Sequence, residues 1–454
     1  MNKYPLLSKV LVIGTLMLLL AIPLLMVSGV IEERTANRSQ ATREVARAHA
    51  GEQTIVGPVL FVPYTETFLR TVTERDITRE EQVVVNHTVV RFPAIMNTRS
   101  KLATETRWRG IFPVAVYTSG HQSTGHFVWR DPEPQEKGGQ IALGQPRLLM
   151  GVSDLRGLQS TPRLAVAGEA LTVTSSPAEG NLPLPLAASL DVALLKAGAE
   201  IPFTLDMELA GTGRIGWVPL AEETTVDLRS AWPHPSFGGQ FLPRSRTVTD
   251  QGFQAQWRVP ALSTQAQKQF MQKTERQPVL ENFSVALADP VDVYRLTDRA
   301  AKYAMMFIVL TFAAFFVLEM VRRWRIHPMQ YLMIGTALVL FFLLLLSFAE
   351  QLGFVWAYLL ASLGCIGLLT YYLRHVLHGW RPAMAMGTML TALYGVLYGI
   401  LLSEDNALMM GSLLLFGVLA GIMVATRKLD WYSVMAAPAT SAKGAQGSHT
   451  ATTG

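Results

Sequence analysis

Ionisable side chains set beside long apolar runs are costly to bury, so they mark the first places to look for chemistry. Glu350, Glu404 and Asp405 each lie at the end of such a run. Gathered by a helical bundle, these three carboxylates would make a cation or proton site; left apart, they are ordinary residues of short interfacial loops. Glu319 ends another run, with Arg322 and Arg323 one turn further on. That spacing reads as a local ion pair snorkelling into headgroups, with a proton relay as the alternative. His375 and His378 could share a helix face and bind a metal, but no Cys or acidic residue stands near them, which favours an interfacial pair.

Two stretches in the polar part of the chain invite the same question. In Ser230-Ala231-Trp232-Pro233-His234-Pro235-Ser236-Phe237-Gly238, two prolines fix the chain around His234 and could present its imidazole beside Trp232. No acid, base or nucleophile follows at a catalytic spacing, so the stretch also reads as a stiff inter-strand loop. Ser153-Asp154-Leu155-Arg156-Gly157 reads as a turn with a local ion pair. There is no Gly-rich phosphate loop, nucleophile elbow or zinc-protease signature, and the single cysteine, Cys365, excludes a disulfide framework and a paired-thiolate zinc site. The reading therefore calls for no cofactor, no metal and no catalytic residue.

The elements that must position these residues follow from hydropathy. Of 454 residues, 50% are hydrophobic and 16% charged, which excludes disorder, a coiled coil and a purely soluble enzyme. The net charge of +5 needs no nucleic-acid partner, because basic cytoplasmic loops supply it. Six apolar segments are long enough to cross a bilayer as helices: Leu6 to Val30, Tyr303 to Val321, Tyr331 to Ala349, Phe354 to Leu373, Met384 to Ser403 and Leu408 to Ala425. The first resembles a signal peptide with a weak cleavage site at Val27-Ser28-Gly29, but its apolar run favours an uncleaved anchor. Lys3, Lys9, Arg322, Arg323, Arg325, Arg374, Arg381, Arg427 and Lys428 all fall on one side if the segments alternate, so both termini are expected in the cytoplasm.

Between the first and second segments lies a region expected to be exported. Its charged, alanine-rich start, from Ile31 to about Arg47, reads as a helical stalk. Beyond Gly51 the period changes to two. Ile201, Phe203, Leu205, Met207 and Leu209 alternate with polar residues, as do Phe253, Ala255, Trp257 and Val259, and as do Leu102, Thr104, Thr106 and Trp108. With Gln82 to Phe92 also strand-like, these predict half-buried antiparallel strands in one or two β-sandwich units. The expected fold is a membrane protein with an all-β, sandwich-like exported domain and a bundle of six transmembrane helices. The expected divisions are an anchor at 1–30, a periplasmic β-rich domain with its stalk at 31–298, a five-helix membrane domain at 299–428 and a disordered cytoplasmic tail at 429–454.

Several stretches together resemble the CreD family of bacterial inner-membrane, cell-envelope integrity proteins. They include Pro290-Val291-Asp292-Val293-Tyr294, Ile326-His327-Pro328 with Gln330-Tyr331, Glu350 with Gly353-Phe354, Glu404-Asp405, and Asp430-Trp431-Tyr432. Gly57-Pro58-Val59-Leu60 and the loop around Trp232 add to the likeness, and Gln351 and Asn406 depart from the family pattern. His327 joins the candidate residues through this motif. The resemblance implies a role in envelope stress and homeostasis, with colicin tolerance in some members, and brings no catalytic residue or cofactor. The reading is then a non-enzymatic inner-membrane protein whose β-domain binds an envelope protein or polymer, with the lipid bilayer as its other partner. A proton- or cation-coupled transporter built on the outer carboxylates and an envelope hydrolase are the alternatives.

Overall fold

Runs of about 20 apolar residues satisfy their backbone polar groups internally only as helices, and six such helices form among the described residues. The computed structural model describes residues 5–74, 77–176, 184–272, 279–288, 292–322, 326–403 and 406–427. The tail at 429–454 and the carboxylates Glu404 and Asp405 lie outside them. The chain divides into a helical unit, 1–36 with 291–454, and a sheet unit, 37–290.

Long helices are α1 (Pro5–Ala48), α3 (Val293–Arg322), α4 (Pro328–Leu352), α5 (Phe354–Val376), α6 (Trp380–Leu402) and α7 (Ala407–Thr426), with one short helix, α2 (Ala266–Met271), in the sheet unit. All six long ones are apolar and long enough to span a membrane. Gly353 alone separates α4 from α5, at a φ of 78° that a side chain would strain. Aromatic rings fill the helical core: Tyr394 packs on Phe307 at 4.6 Å and on Phe341 at 4.7 Å between centroids. Each such pair adds about 1 kcal/mol beyond its burial. By contrast, α7 buries only Gly411. In α1, Leu20 packs onto Gly335 of α4, where a Cβ would meet its methyl group and the leucine side chain would have to shift.

Among the described residues the sheet unit holds two sheets. The first runs β14 (Pro235–Gly239), β17 (Phe283–Leu287), β12 (Arg214–Trp217), β1 (Gln53–Glu74), β6 (Arg147–Val152), β10 (Leu186–Ser189), β9 (Thr174–Ser175), with β2 (Ile77–Arg91) and β5 (Gln140–Leu143) also on β1. The second runs β15 (Ser245–Thr249), β16 (Gly252–Pro260), β13 (Glu223–Ser230), β3 (Ile95–Arg109), β4 (Phe112–Val128), β11 (Glu200–Thr212), β7 (Arg163–Val166), β8 (Glu169–Leu171). Both sheets are mixed rather than wholly antiparallel: β1 pairs with β12 in parallel, and β3 with β13. A strand returning after a long connection can enter in the same direction as its neighbour, and no local periodicity reports that choice.

The sheets face each other across two apolar cores. One joins Leu60, Val62 and Leu148 to Phe127, Phe203 and Leu205; the other joins Ile215, Trp217 and Phe283 to Leu209, Leu228 and Trp257. The other face of the first sheet is covered by α2, whose Phe270 meets Phe61 and Phe92 edge-on. The alternating residues of β11 and β16 point inward as their period requires. In β3 only the start does so: Leu102 is buried, whereas Trp108, expected on the same apolar face, is 67% exposed.

Candidate functional site

Glu319 sits near the end of α3 with 7% of its surface exposed. Its Oε1 is ion-paired with Lys9 of α1 and accepts the backbone N–H of Ile326 at 3.1 Å, while Oε2 accepts the hydroxyl of Tyr331 at 3.1 Å. Lys9 also donates to the Ile326 carbonyl at 3.2 Å. The partner in this structure is thus a base 310 residues away. The side chain of Arg322, and Arg323 altogether, lie outside the described residues. His327 holds the corner between α3 and α4: its Nδ1 accepts from the N–H of Met329, and Gln330 accepts in return from the N–H of His327. This reciprocal cap satisfies two donors that a helix start leaves open.

At the far end of the same three helices the arrangement repeats. Glu350 of α4 accepts the Tyr294 hydroxyl of α3 at 3.1 Å and lies 3.7 Å from the Arg34 guanidinium of α1. Arg299, in the second turn of α3, donates to the carbonyls of Ile400 and Ser403, where a cation complements the end of α6. Each clasp combines a base from α1, a glutamate and a tyrosine. A charge left unpaired among apolar helices would be expensive, and both clasps relieve that cost.

In the sheet unit the loop around His234 is fastened by Trp232, whose indole N–H donates to the Ala288 carbonyl at 3.1 Å and to that of His234 at 3.2 Å. Trp232 and Phe237 pack against the second apolar core. His234 is exposed and engages through its backbone, with no side-chain partner among the described residues. Asp154 does more than pair locally. Its carboxylate takes Arg156 in a two-pronged contact at 2.9 and 2.6 Å and also the N–H of Gly51 at 3.0 Å. Arg156 in turn caps the last turn of α1 through the Arg47 carbonyl at 2.7 Å. The hydrogen bonds from Arg156, with that from Gly51, hold the Asp154 carboxyl well below the usual range.

Two further features have no counterpart among the residues singled out by type and spacing. Between the apolar cores runs a belt of buried polar side chains from β3 and β4. Thr98 meets Ser123 at 2.9 Å, and His121 meets Ser100 at 2.7 Å through Nδ1 and Ser119 at 2.8 Å through Nε2. Burial pushes the His121 pKa down to about 3, keeping the ring neutral. On the opposite, uncovered face of the second sheet lies a recess of about 960 Å³. Its charged lining is Arg99 and Lys101 of β3, Arg163 of β7, Asp206 and Glu208 of β11, and Asp227 and Arg229 of β13. Among the described residues none of these seven side chains closes an ion pair or hydrogen bond.

The family model described as "Inner membrane protein CreD" matches residues 5–432. The chain belongs to the CreD family. It is 37% identical over 445 residues to "Inner membrane protein CreD" of Escherichia coli strain K12, covering 95% of each chain. Membership makes this an inner-membrane family with six apolar helices and a large mixed-sheet unit. Within this CreD-family chain, Glu319 holds the N–H of Ile326, the residue before His327, Glu350 lies at the opposite end of the same helices, and Trp232 with His234 belongs to the sheet unit. Among the described residues no three His, Cys, Asp or Glu side chains gather to hold a metal ion. His121 and the recess escaped notice because a lone His among serines, and charges alternating along a strand, look like ordinary strand polarity until the strands are paired.

Proposed function

We propose that this CreD-family protein is a non-enzymatic membrane protein that supports envelope integrity and the response to envelope stress. Its sheet unit lies on the periplasmic side and binds an envelope protein or polymer. The helices anchor it, with both termini in the cytoplasm. The observation that carries this reading is the recess on the second sheet, where, among the described residues, charged side chains stand without partners on a face that no other element covers. Charges left unpaired on a rigid sheet are poised for a ligand rather than for the fold.

The distribution of basic residues supports the orientation: Arg374, Arg381 and Arg427 share one side with Lys9, and the loop at Glu350-Gln351 has none. The clasps weigh against transport, since Glu319 has both oxygens engaged and Glu350 is held by two neighbours. His234, exposed and without a side-chain partner among the described residues, weighs against hydrolysis. The test is complementation of envelope-stress sensitivity in a strain lacking the protein. A triple variant, Arg99→Ala, Lys101→Ala and Arg229→Ala, should fail at normal abundance, while Glu350→Gln with Glu404→Gln should succeed. The reverse pattern would overturn the proposal in favour of a carboxylate-based transporter.

A further inference from the structure

The recess has a polarity that strand register imposes. One row across the second sheet reads Asp227, Arg99, Gln122, Asp206, Arg163, and the next reads Arg229, Lys101, Gly120, Glu208. Arg229 and Lys101 stand directly opposite each other on neighbouring strands, a like-charge placement that destabilises a sheet. With Arg99 two residues along the same strand, they form a pole in which cations outnumber the one carboxylate, Asp227 opposite Arg99. Asp206 and Glu208 form a pole with an excess of carboxylates two strands away, with Arg163 opposite Asp206. Gly120 lies between, and the space a side chain would occupy there is empty. At the edge of the same face Arg258 and Glu223 close an ion pair at 2.7 Å, whereas within the recess Asp227 opposite Arg99 and Asp206 opposite Arg163 stay open among the described residues.

Resting on the reading that the sheet unit binds a ligand, we infer that this recess is a site for a short extended peptide with free termini. Its carboxylate sits on Arg99, Lys101 and Arg229, its ammonium on Asp206 and Glu208, and its backbone crosses Gly120. Two strand spacings separate the poles by roughly 10 Å. Three extended residues span roughly the same distance. Guanidinium groups take carboxylates in a planar two-pronged fit, which suits the cationic pole. A phosphoethanolamine headgroup also carries both charges, but it is too short to reach both poles at once.

The full chain in detergent micelles can be titrated calorimetrically with trialanine, with N-acetyl-trialanine amide, with dialanine and with phosphoethanolamine. Trialanine should bind, more weakly as salt rises, and each of the other three at least tenfold more weakly. Lys101→Ala with Arg229→Ala, and Asp206→Asn with Glu208→Gln, should each weaken trialanine tenfold or more. Gly120→Leu, which fills the notch without touching a charge, should abolish binding with the melting temperature unchanged. Equal binding of free and blocked trialanine, tighter binding of phosphoethanolamine, or indifference to Gly120→Leu would overturn the assignment. Complementation separates it from the broader proposal. If the face variants fail to complement and no peptide binds, the ligand class is wrong and the binding role stands. If trialanine binds and the face variants complement fully, the ligand class stands and the role in envelope integrity falls.

Discussion

Acid should weaken the sheet unit through His121. In the unfolded chain this imidazole titrates near its ordinary value of about 6.5, whereas in the folded unit burial holds it near 3. Between those values the unfolded state binds a proton that the folded state does not, so the contribution is fully present above about 6.5 and is lost as pH falls. The slope approaches 1.4 kcal/mol per pH unit. From pH 7.5 to pH 5 the loss sums to about 2 kcal/mol, or roughly 4–8 °C in the melting temperature of a unit this size. The assay is thermal unfolding of the full chain followed by tryptophan fluorescence, since Trp217 lies edge-on to the His121 ring at 6.0 Å. His121→Gln keeps hydrogen-bonding capacity toward Ser100 and Ser119 but cannot titrate. Other titrating groups are common to both proteins and cancel in the difference. The wild type should therefore lose about 2 kcal/mol more than the variant. Parallel pH profiles would refute the reasoning and mean that His121 protonates without opening the core.

Glu319→Gln should cost about 3 kcal/mol by leaving Lys9 without a counter-charge, and Lys9→Met combined with Glu319→Met should recover much of the loss, both read as detergent-denaturation midpoints. Asp154→Ala frees the Gly51 N–H and the Arg156 guanidinium and should cost about 2 kcal/mol, visible as earlier proteolysis between α1 and β1; an unchanged cleavage rate would contradict the joint described for Asp154. A periplasmic phosphatase fused after Gly454 should be inactive, and activity there would reverse the proposed orientation of α3 to α7.

The helices were legible because a bilayer demands a run of fixed length, and hydropathy along the chain reports that directly. Strands β11 and β16 were legible because one face is buried throughout. Trp108 misled for the same reason: alternation continues past the point where β3 leaves the core. Contacts that close over long separations left no local signal. Glu319 pairs with Lys9, 310 residues away in the chain. The parallel pairing of β3 with β13, which sets Lys101 beside Arg229 and builds the recess, is equally invisible until the sheet is assembled.

The two clasps also order events during synthesis. Lys9 and Arg34 are made first, and the glutamates they hold follow about 300 residues later. At ordinary translation rates that delay is roughly 15–60 s. A lysine or arginine near a helix end can wait, because its long stem lets the charge reach the headgroups. A glutamate is too short to do the same from an equivalent depth. Because the bases precede the carboxylates in the chain, each cation is synthesised before the glutamate it pairs with. Loss of α1 would remove Lys9 and Arg34 together and leave Glu319 and Glu350 without the cations that pair with them here.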